Sequence, residues 1–256
     1  MALIAMCCHD TEENGRSDMT WKTLMSLRDT VDSNRHEIVV INQNSCGDTR
    51  NLLTLARTHL HFRRIDLPEN VGTAKGINMA WKDRKPGQHL VKLDNDVVAH
   101  QKGWVDVLED TITRMPNIGI VGLKRKDLME STFRDDFWKS ELREVPHEPG
   151  QLNIYIEVVN HVMGTCQMYN SALIDLIGGL YQMDGLYGFD DSLASVRSHL
   201  AGFVNCFVPY IEIDHIDPGD KPYQKWKEAH SGALMSRYQQ TVADMQSGKT
   251  SIHFPL

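Results

Sequence analysis

The sequence predicts an α/β fold in which helices flank a largely parallel central sheet. Three observations predict it. Short apolar runs alternate with helical patterns through the first half of the chain, the rhythm of strand–helix–strand units. Those runs end in polar sets after Cys8, Ile41, Ile65 and Leu93, which in such a sheet gather along one rim, beyond the carboxyl ends of the strands, where ligands bind. A hydrophobic content of 41% over 256 residues is enough for one substantial core.

The elements follow in order. Ala2–Cys8 reads as a first buried strand. Met19–Val31 reads as an amphipathic helix with Trp21, Leu24, Met25 and Leu27 on one face. Glu37–Ile41 is a β-branched strand bounded by a polar turn from Asn42 to Asp48. Leu60–Ile65 is a weaker strand, Thr73–Trp81 a helix, and Gln88–Leu93 a strand that ends at two aspartates. Gly103–Arg114 is helical and stops before Pro116, and Ile118–Val121 is the next strand. The rhythm then breaks: residues 124–150 are charged, contain Pro146 and Pro149, and read as an excursion over the surface. Order returns with strands at Asn153–Val159 and Thr165–Tyr169 and a helix over Ser171–Ile177. A helix over Asp191–Leu200, strands at Phe203–Val208 and Tyr210–Asp214, and a tail helix from Tyr223 to Met245 complete the pattern. No repeat or linker divides the chain. The expected organisation is one domain over residues 1–216, with a ligand-binding half (1–123) and a second half (124–216), and a helical C-terminal tail over 217–256.

Composition narrows the setting. A mean hydropathy of -0.38 and the lack of any apolar run near the roughly 18 residues that span a bilayer predict no transmembrane segment. MALIAMCCHD has no basic n-region and reads as a strand, not a signal peptide. Five cysteines show no CxxC pair, which favours a reducing, cytoplasmic location for a soluble or peripheral protein. The formal charge of -7 gives no general attraction to nucleic acid or anionic membrane. The adjoining Lys124, Arg125 and Lys126 keep nucleic acid open as a partner, whereas Arg134, Lys139 and Arg143 read as a solvated loop.

The most informative stretch is Leu93-Asp94-Asn95-Asp96-Val97-Val98. If the strand continues, alternation puts Asp94 and Asp96 on one side. Two like charges there are costly unless something positive sits between them. A hard divalent cation carrying a nucleotide diphosphate fits, because such ions prefer carboxylate and phosphate oxygens. The competing reading is a solvated Asp-Asn-Asp turn that ends a buried strand.

Five ordered segments resemble the family 2-like glycosyltransferases of the GT-A fold, and together they span about residues 2 to 217. Ile38-Val39-Val40-Ile41-Asn42-Gln43-Asn44-Ser45 is similar to the strand-and-turn usually written VVDNGS. Glu69-Asn70-Val71-Gly72-Thr73-Ala74-Lys75-Gly76-Ile77-Asn78 is similar to ENxGxAxGxN. Asp94-Asn95-Asp96, with Gly103-Trp104 downstream, matches the DxD motif and its following GW. Gly178-Gly179-Leu180 precedes Gly188-Phe189-Asp190-Asp191 and Arg197, and Asp214-His215 follows a strand where many members place a metal-binding histidine.

The resemblance implies a nucleotide-diphospho-sugar transferase, Rossmann-like, whose second half faces the acceptor. It implies a metal set of Asp94, Asp96 and His215 for Mn²⁺ or Mg²⁺, with Asp214 and Asp217 as fallback ligands. Asp96 would ligate the ion and Asp94 would contact the donor ribose or the ion through water. Donor contacts would come from Asp10, Asn42, Asn44, Asn70, Gly72, Lys75, Asn78, Asp94 and Asn95. Asp191 is the implied general base, with Asp190 as its neighbour or an acceptor-binding group. Each has a plainer reading too: Asp191 as a helix cap, Asn42 as the start of an Asx turn, Lys75 as an exposed helix residue. Two departures stand out. Asn42 replaces the usual uracil-reading aspartate, which weakens the assignment of UDP, since an amide both donates and accepts. Leu193 stands where the family often carries another acid. Trp21, Trp81 and Trp104 are expected in the core, and Tyr181, Tyr187 and Trp138 near the acceptor.

The expected function is a metal-dependent, inverting transfer from a nucleotide-diphospho-sugar, with a UDP-sugar as default. The acceptor would be a hydroxyl on a glycan, glycolipid, protein or hydroxylated nucleobase. The alternatives are a catalytically inactive domain of this fold that binds a sugar nucleotide or partner, and a sugar-1-phosphate nucleotidyltransferase. The last would need a GxGxRxxP-type loop after the first strand, and Cys7-Cys8-His9-Asp10-Thr11-Glu12 does not resemble one.

Overall fold

Alternation along the first two strands sets the layers. In a computed structural model that describes residues 1–128, 141–217 and 221–256, β1 (Ala2–Cys8) and β2 (Glu37–Gln43) pair in parallel, Ile4 opposite Ile38 and Met6 opposite Val40. Ala2, Ile4, Met6, Ile38 and Val40 join one buried cluster, whereas Leu3, Ala5, Val39 and Ile41 join a second on the other face, as the period of two requires. Helices α1 (Ser17–Thr30), α2 (Gly47–Ala56) and α4 (Trp104–Arg114) cover the first face through Leu24, Leu27, Leu53, Trp104 and Leu108. Helices α3 (Thr73–Trp81), α5 (Ser171–Ile177) and α6 (Asp190–Leu200) cover the second through Ile77, Trp81, Leu173 and Ala194.

The strands continue with β3 (Arg63–Leu67), β4 (His89–Leu93), β5 (Val97–Ala99), β6 (Ile118–Arg125), β7 (Glu141–Glu144), β8 (Tyr155–Val159), β9 (Cys166–Tyr169) and β10 (Val204–His215). Among the described residues they form a ten-stranded sheet in the order β3-β2-β1-β4-β9-β6-β10-β8-β7, with β5 beside β10. The β3-β2-β1-β4 half is parallel, and β10 is parallel to β6. The second half is mixed: β9 runs antiparallel to both β4 and β6, and β8 antiparallel to β10 and β7. The last helix, α7, spans Lys221–Gln246.

Four local expectations are corrected. The stretch after Ile41 is not only a turn: β2 runs to Gln43, and helix α2 begins at Gly47. Its short, polar sequence hides the helix, which buries only Thr49, Leu53 and Ala56. The third strand lies two to three residues later than its apolar signal, because Leu60 and Phe62 are buried in the approach to it. Residues 124–150 are not all excursion, since β6 continues to Arg125 and β7 forms an exposed edge strand. Phe203–Val208 and Tyr210–Asp214 are one strand with a register shift between Val208 and Glu212, at Pro209, which has no N–H for the ladder. Arg134, Trp138 and Lys139 lie outside the described residues.

The chain's end returns to the body. Gly178 forms a bridge with Phe254, and Ile252 and Leu256 pack on the second cluster. Arg197, fully buried, ties this join by donating to the carbonyls of Ile177, Gly179 and Ile252. Burial lowers its guanidinium to about 10. Gly178 has φ +71°, and a Cβ there would lie 1.9 Å from the Phe254 carbonyl oxygen.

Candidate functional site

At the carboxyl ends of β1, β2 and β4 lies a cleft of about 690 Å³, lined by residues from several segments, among them Asp10, Arg16, Gln43, Asn70, Asp94, Asn95, Asp96, His215 and Asp217. The rim expected from the sequence is therefore present, with the segment after β3 reaching it through Asn70. Strand β4 stops at Leu93, and Asp94–Asp96 is a turn leading into β5. Both aspartates face the cleft through that turn and not through strand alternation.

Strand β5 explains how His215 arrives. It pairs antiparallel with the end of β10, His215 opposite Val97 and Asp214 opposite Val98, and the Ile216 N–H donates to the Asp96 carbonyl at 2.8 Å. His215 Nε2 lies 3.5 Å from Asp96 Oδ2. Ligand atoms of Asp96, His215 and Asp217 all fall within 4.8 Å of one another. Two carboxylates and an imidazole form a mixed oxygen and nitrogen donor set that suits Mn²⁺ or Mg²⁺. Asp214 turns the other way and pairs with the exposed His100 at 2.7 Å.

Asp94 stands outside that trio. Its Oδ1 accepts from Lys92 Nζ at 3.2 Å, and its backbone N–H donates to the Thr165 carbonyl. Burial raises its carboxyl above the ordinary value, against the lowering pull of Lys92. Lys92 is itself buried at 4% exposure. Its ammonium also donates to the Gly164 carbonyl at 2.7 Å and lies 3.7 Å from Asp190 Oδ2. Burial alone would lower the Lys92 pKa, but Asp94, Asp190 and Asp191 outweigh it and hold the lysine well above its usual value. Sequence reasoning missed Lys92. The available signal was its charge in an apolar strand, two residues before Asp94.

The aspartate pair opens helix α6, where the helix dipole favours negative charge. It is presented by Phe189, a non-glycine residue at φ 62° whose ring stacks on Tyr238 at 4.5 Å. Asp191 Oδ2 accepts from the Gly164 N–H at 3.0 Å and lies 3.4 Å from His161 Nε2, and Oδ1 accepts from the Ser192 N–H. Burial would raise its carboxyl, yet the His161 hydrogen bond and the charges of His161 and Lys92 hold it well below the usual carboxylate range. Asp190 goes the other way: burial raises it, opposed by Lys92 and reinforced by Asp191 and Asp94. Gly164 joins the two groups, since a Cβ there would meet Lys92 Nζ at 2.7 Å and Asp191 at 3.2 Å. Strand β9 and its entry at 164–165 thus connect the cleft to the Asp190–Asp191 pair, which does not line the cleft itself.

The remaining residues singled out in the sequence divide into two groups. Asp10 lines the cleft, and its carboxylate accepts from Thr20, Thr49 and Asn95, so it braces the rim while Asn95 also reaches Thr20. Asn70 lines the cleft too and accepts from the Gly72 N–H. Asn42, Asn44, Gly72, Lys75 and Asn78 do not line it. Asn42 is spent internally, donating to Asp66 at 2.6 Å and accepting from the Ser45 N–H. Asn44 is exposed, at φ 54°. The amino end of α3 is closed by Gln182, which accepts from the Lys75 N–H and donates to the Val71 carbonyl. Asn78 brackets Leu180 by bonding both its N–H and its carbonyl. Trp81 and Trp104 are core residues and Trp21 is half-buried beside His59. Tyr187 lines the cleft, and Tyr181 packs against Phe254. Of the basic cluster, Lys124 pairs with Glu157, Arg125 with Asp127 and the exposed Arg143 with Glu141.

Helices on both faces of the sheet and an acidic cleft beyond the strand ends define a three-layer α/β class with its candidate site at the carboxyl rim. Residues 4–178 match the model of glycosyl transferase family 2, and the chain belongs to that family. No curated protein matches it by sequence. Among solved structures it is similar to a mannosyltransferase from Pyrobaculum calidifontis in complex with GDP-Man and Mn²⁺: 17% identity, TM-score 0.63, over 88% of this chain and 59% of that one. It is similar to TarS 1–349 of S. aureus at 18% identity and TM-score 0.60, over 85% of this chain and 61% of that one. It is also similar to GalNAc-T7 with UDP, GalNAc and Mn²⁺, at 15% identity and TM-score 0.65, over 85% of this chain and 44% of that one. These likenesses are of fold, the GT-A fold, and the chain spans from less than half to about three-fifths of those proteins' lengths. Among the described residues no helix is long and apolar enough to cross a membrane.

Proposed function

We propose that the chain is a metal-dependent, inverting glycosyltransferase that takes a sugar from a nucleotide-diphospho-sugar to a hydroxyl acceptor. The observation that carries this reading is the continuous arrangement from the Asp96–His215–Asp217 trio, through Asp94 and Lys92, to the Asp190–Asp191 pair. Solved relatives in fold hold GDP-Man with Mn²⁺ or UDP with Mn²⁺, which supports a sugar nucleotide and a divalent cation here. A UDP-sugar is the default donor. The acceptor class is a hydroxyl of a glycan, glycolipid, protein or hydroxylated nucleobase.

Asp96, His215 and Asp217 would hold Mn²⁺ or Mg²⁺, which as a Lewis acid offsets charge on the departing diphosphate. The acceptor oxygen attacks the anomeric carbon from the face opposite the diphosphate. The bond from that carbon to the phosphate oxygen breaks, and the hydroxyl proton passes to a carboxylate of the Asp190–Asp191 pair. Asp191 is the proposed base: it is ionised at neutral pH, with His161 against it. Its depressed pKa makes it a weak base that takes the proton late, as the forming bond acidifies the hydroxyl. Lys92, beside Asp190, and the Gly164 N–H, which donates to Asp191, orient the pair.

A thermal-shift screen of nucleotide sugars with Mn²⁺ tests the donor half, since a ligand that binds the native state raises the melting temperature. Donor hydrolysis or transfer that needs Mn²⁺ tests the rest. Asp96→Asn and Asp191→Asn should each abolish turnover, and turnover left intact in both would refute the mechanism.

A further inference from the structure

Arg16 stands just before α1 and is 8% exposed. Its side chain crosses the cleft to the three groups gathered at the end of β10. Nη2 donates to Asp96 Oδ2, the same oxygen that His215 Nε2 approaches at 3.5 Å, and Nη1 lies 3.5 Å from Asp217 Oδ1. The guanidinium therefore sits on both carboxylates of the trio. A divalent cation binds carboxylate oxygens at about 2.0–2.6 Å, so it and Arg16 compete for the same atoms and repel each other.

The rest of the cleft offers few other cations to meet a diphosphate. The described lining includes the carboxylates of Asp10, Glu13, Asp94, Asp96 and Asp217, and Arg16 is its one guanidinium or ammonium. Lys75 is outside the lining, and the amino end of α3 is closed by Gln182. A diphosphate entering so acidic a cleft finds one fixed side-chain cation, and the planar fork of arginine matches two phosphate oxygens.

We propose that Arg16 is an exchange residue: it occupies Asp96 and Asp217 until a divalent cation displaces it, and it then engages the diphosphate of the nucleotide. The exchange couples the two ligands. The cation alone must break the Arg16 pairs without a new anion for the arginine, whereas with nucleotide present the arginine changes partners. By linkage each ligand then strengthens the other by the same factor, roughly 5- to 150-fold for coupling of this kind. This inference rests on the metal and nucleotide reading above, and it adds a role to Arg16 that the reading does not need.

The test is Mn²⁺ titration followed by the electron paramagnetic resonance signal of free Mn²⁺, alone and with UDP or GDP. It compares wild type, Arg16→Met and Arg16→Lys, each first checked for folding by circular dichroism. Wild type should bind Mn²⁺ weakly alone and more tightly with one of the nucleotides. Arg16→Met should bind Mn²⁺ alone more tightly than wild type, by a factor in the same roughly 5- to 150-fold range, and lose most of the nucleotide enhancement. Arg16→Lys keeps a competing charge without the fork, so it should bind Mn²⁺ alone as weakly as wild type and show a reduced enhancement. That variant decides the matter if Arg16→Met does not fold. Unchanged or weaker Mn²⁺ binding in Arg16→Met, or full enhancement in Arg16→Lys, overturns the exchange while leaving the functional reading standing. A wild type that binds no Mn²⁺ with either nucleotide overturns both.

Discussion

Replacing Lys92 with methionine isolates the contribution of one buried charge. The apolar stem is nearly matched in volume, so packing in β4 is preserved and the loss is electrostatic. Three partners lose a cation: Asp94 Oδ1 at 3.2 Å, Asp190 Oδ2 at 3.7 Å and the Gly164 carbonyl at 2.7 Å. Removing one side of a buried pair costs about 3–5 kcal/mol, because the remaining charge is left uncompensated. The Asp94 side chain is 35% exposed and that of Asp190 16% exposed, so water screens the first and the lower end of that range applies. For a chain of this size about 3 kcal/mol corresponds to a fall of roughly 6–12 °C in melting temperature. Urea denaturation at neutral pH is the assay, read as the change in midpoint at constant slope. Lys92→Met combined with Asp190→Asn should lose less than the sum of the two single changes, since one of the uncompensated charges is gone. A loss below about 1 kcal/mol in Lys92→Met, the scale of an ordinary exposed ion pair, would refute the view of Lys92 as the cation that holds these carboxylates together.

Two further outcomes follow from the geometry. Gly178→Ala places a methyl group 1.9 Å from the Phe254 carbonyl oxygen at φ +71°, so the chain end should detach; amide exchange at Gly179 and Phe254, whose N–H groups bond across this join, should accelerate, and unchanged protection would contradict it. Asp191 has a folded pKa held below its unfolded value, so its stabilising contribution is present above roughly pH 4 and is lost as pH falls through the folded value. The stability difference between wild type and Asp191→Asn should therefore shrink on acidification, and a difference that stays constant or grows would rule out that origin.

Much of this was legible in the sequence because local rules coincide with the fold. Thr73–Trp81 and Ser171–Ile177 appear as read, and each buries its apolar side chains, Ile77 and Trp81 in the first and Leu173, Ile174 and Ile177 in the second. The α2 helix was hidden because it buries only three residues. The single strand β10 was split by Pro209, since a proline signals a break locally while the neighbouring strands hold the ladder on either side of it. At the site, the sequence brought forward Asp94, Asp96, Asp190, Asp191 and His215. It had no means to weigh Asp217 against Asp94, because which carboxylate stands near His215 depends on the β5–β10 pairing.

The sequence by itself determined the class of the protein: alternating runs fix strand faces and helices, and ordered short motifs mark a family. Tertiary structure decided the division of labour among like residues. Asp94 and Asp96 share a turn, yet one faces a lysine and the other a histidine and an arginine. Asn42 and Asn78 are consumed by backbone and neighbours, while Arg16 and Lys92, unremarked in the chain, become the cations around which the carboxylates arrange. A residue's charge is written in the sequence, but its partner is set by long-range packing, and the partner decides what the charge can do.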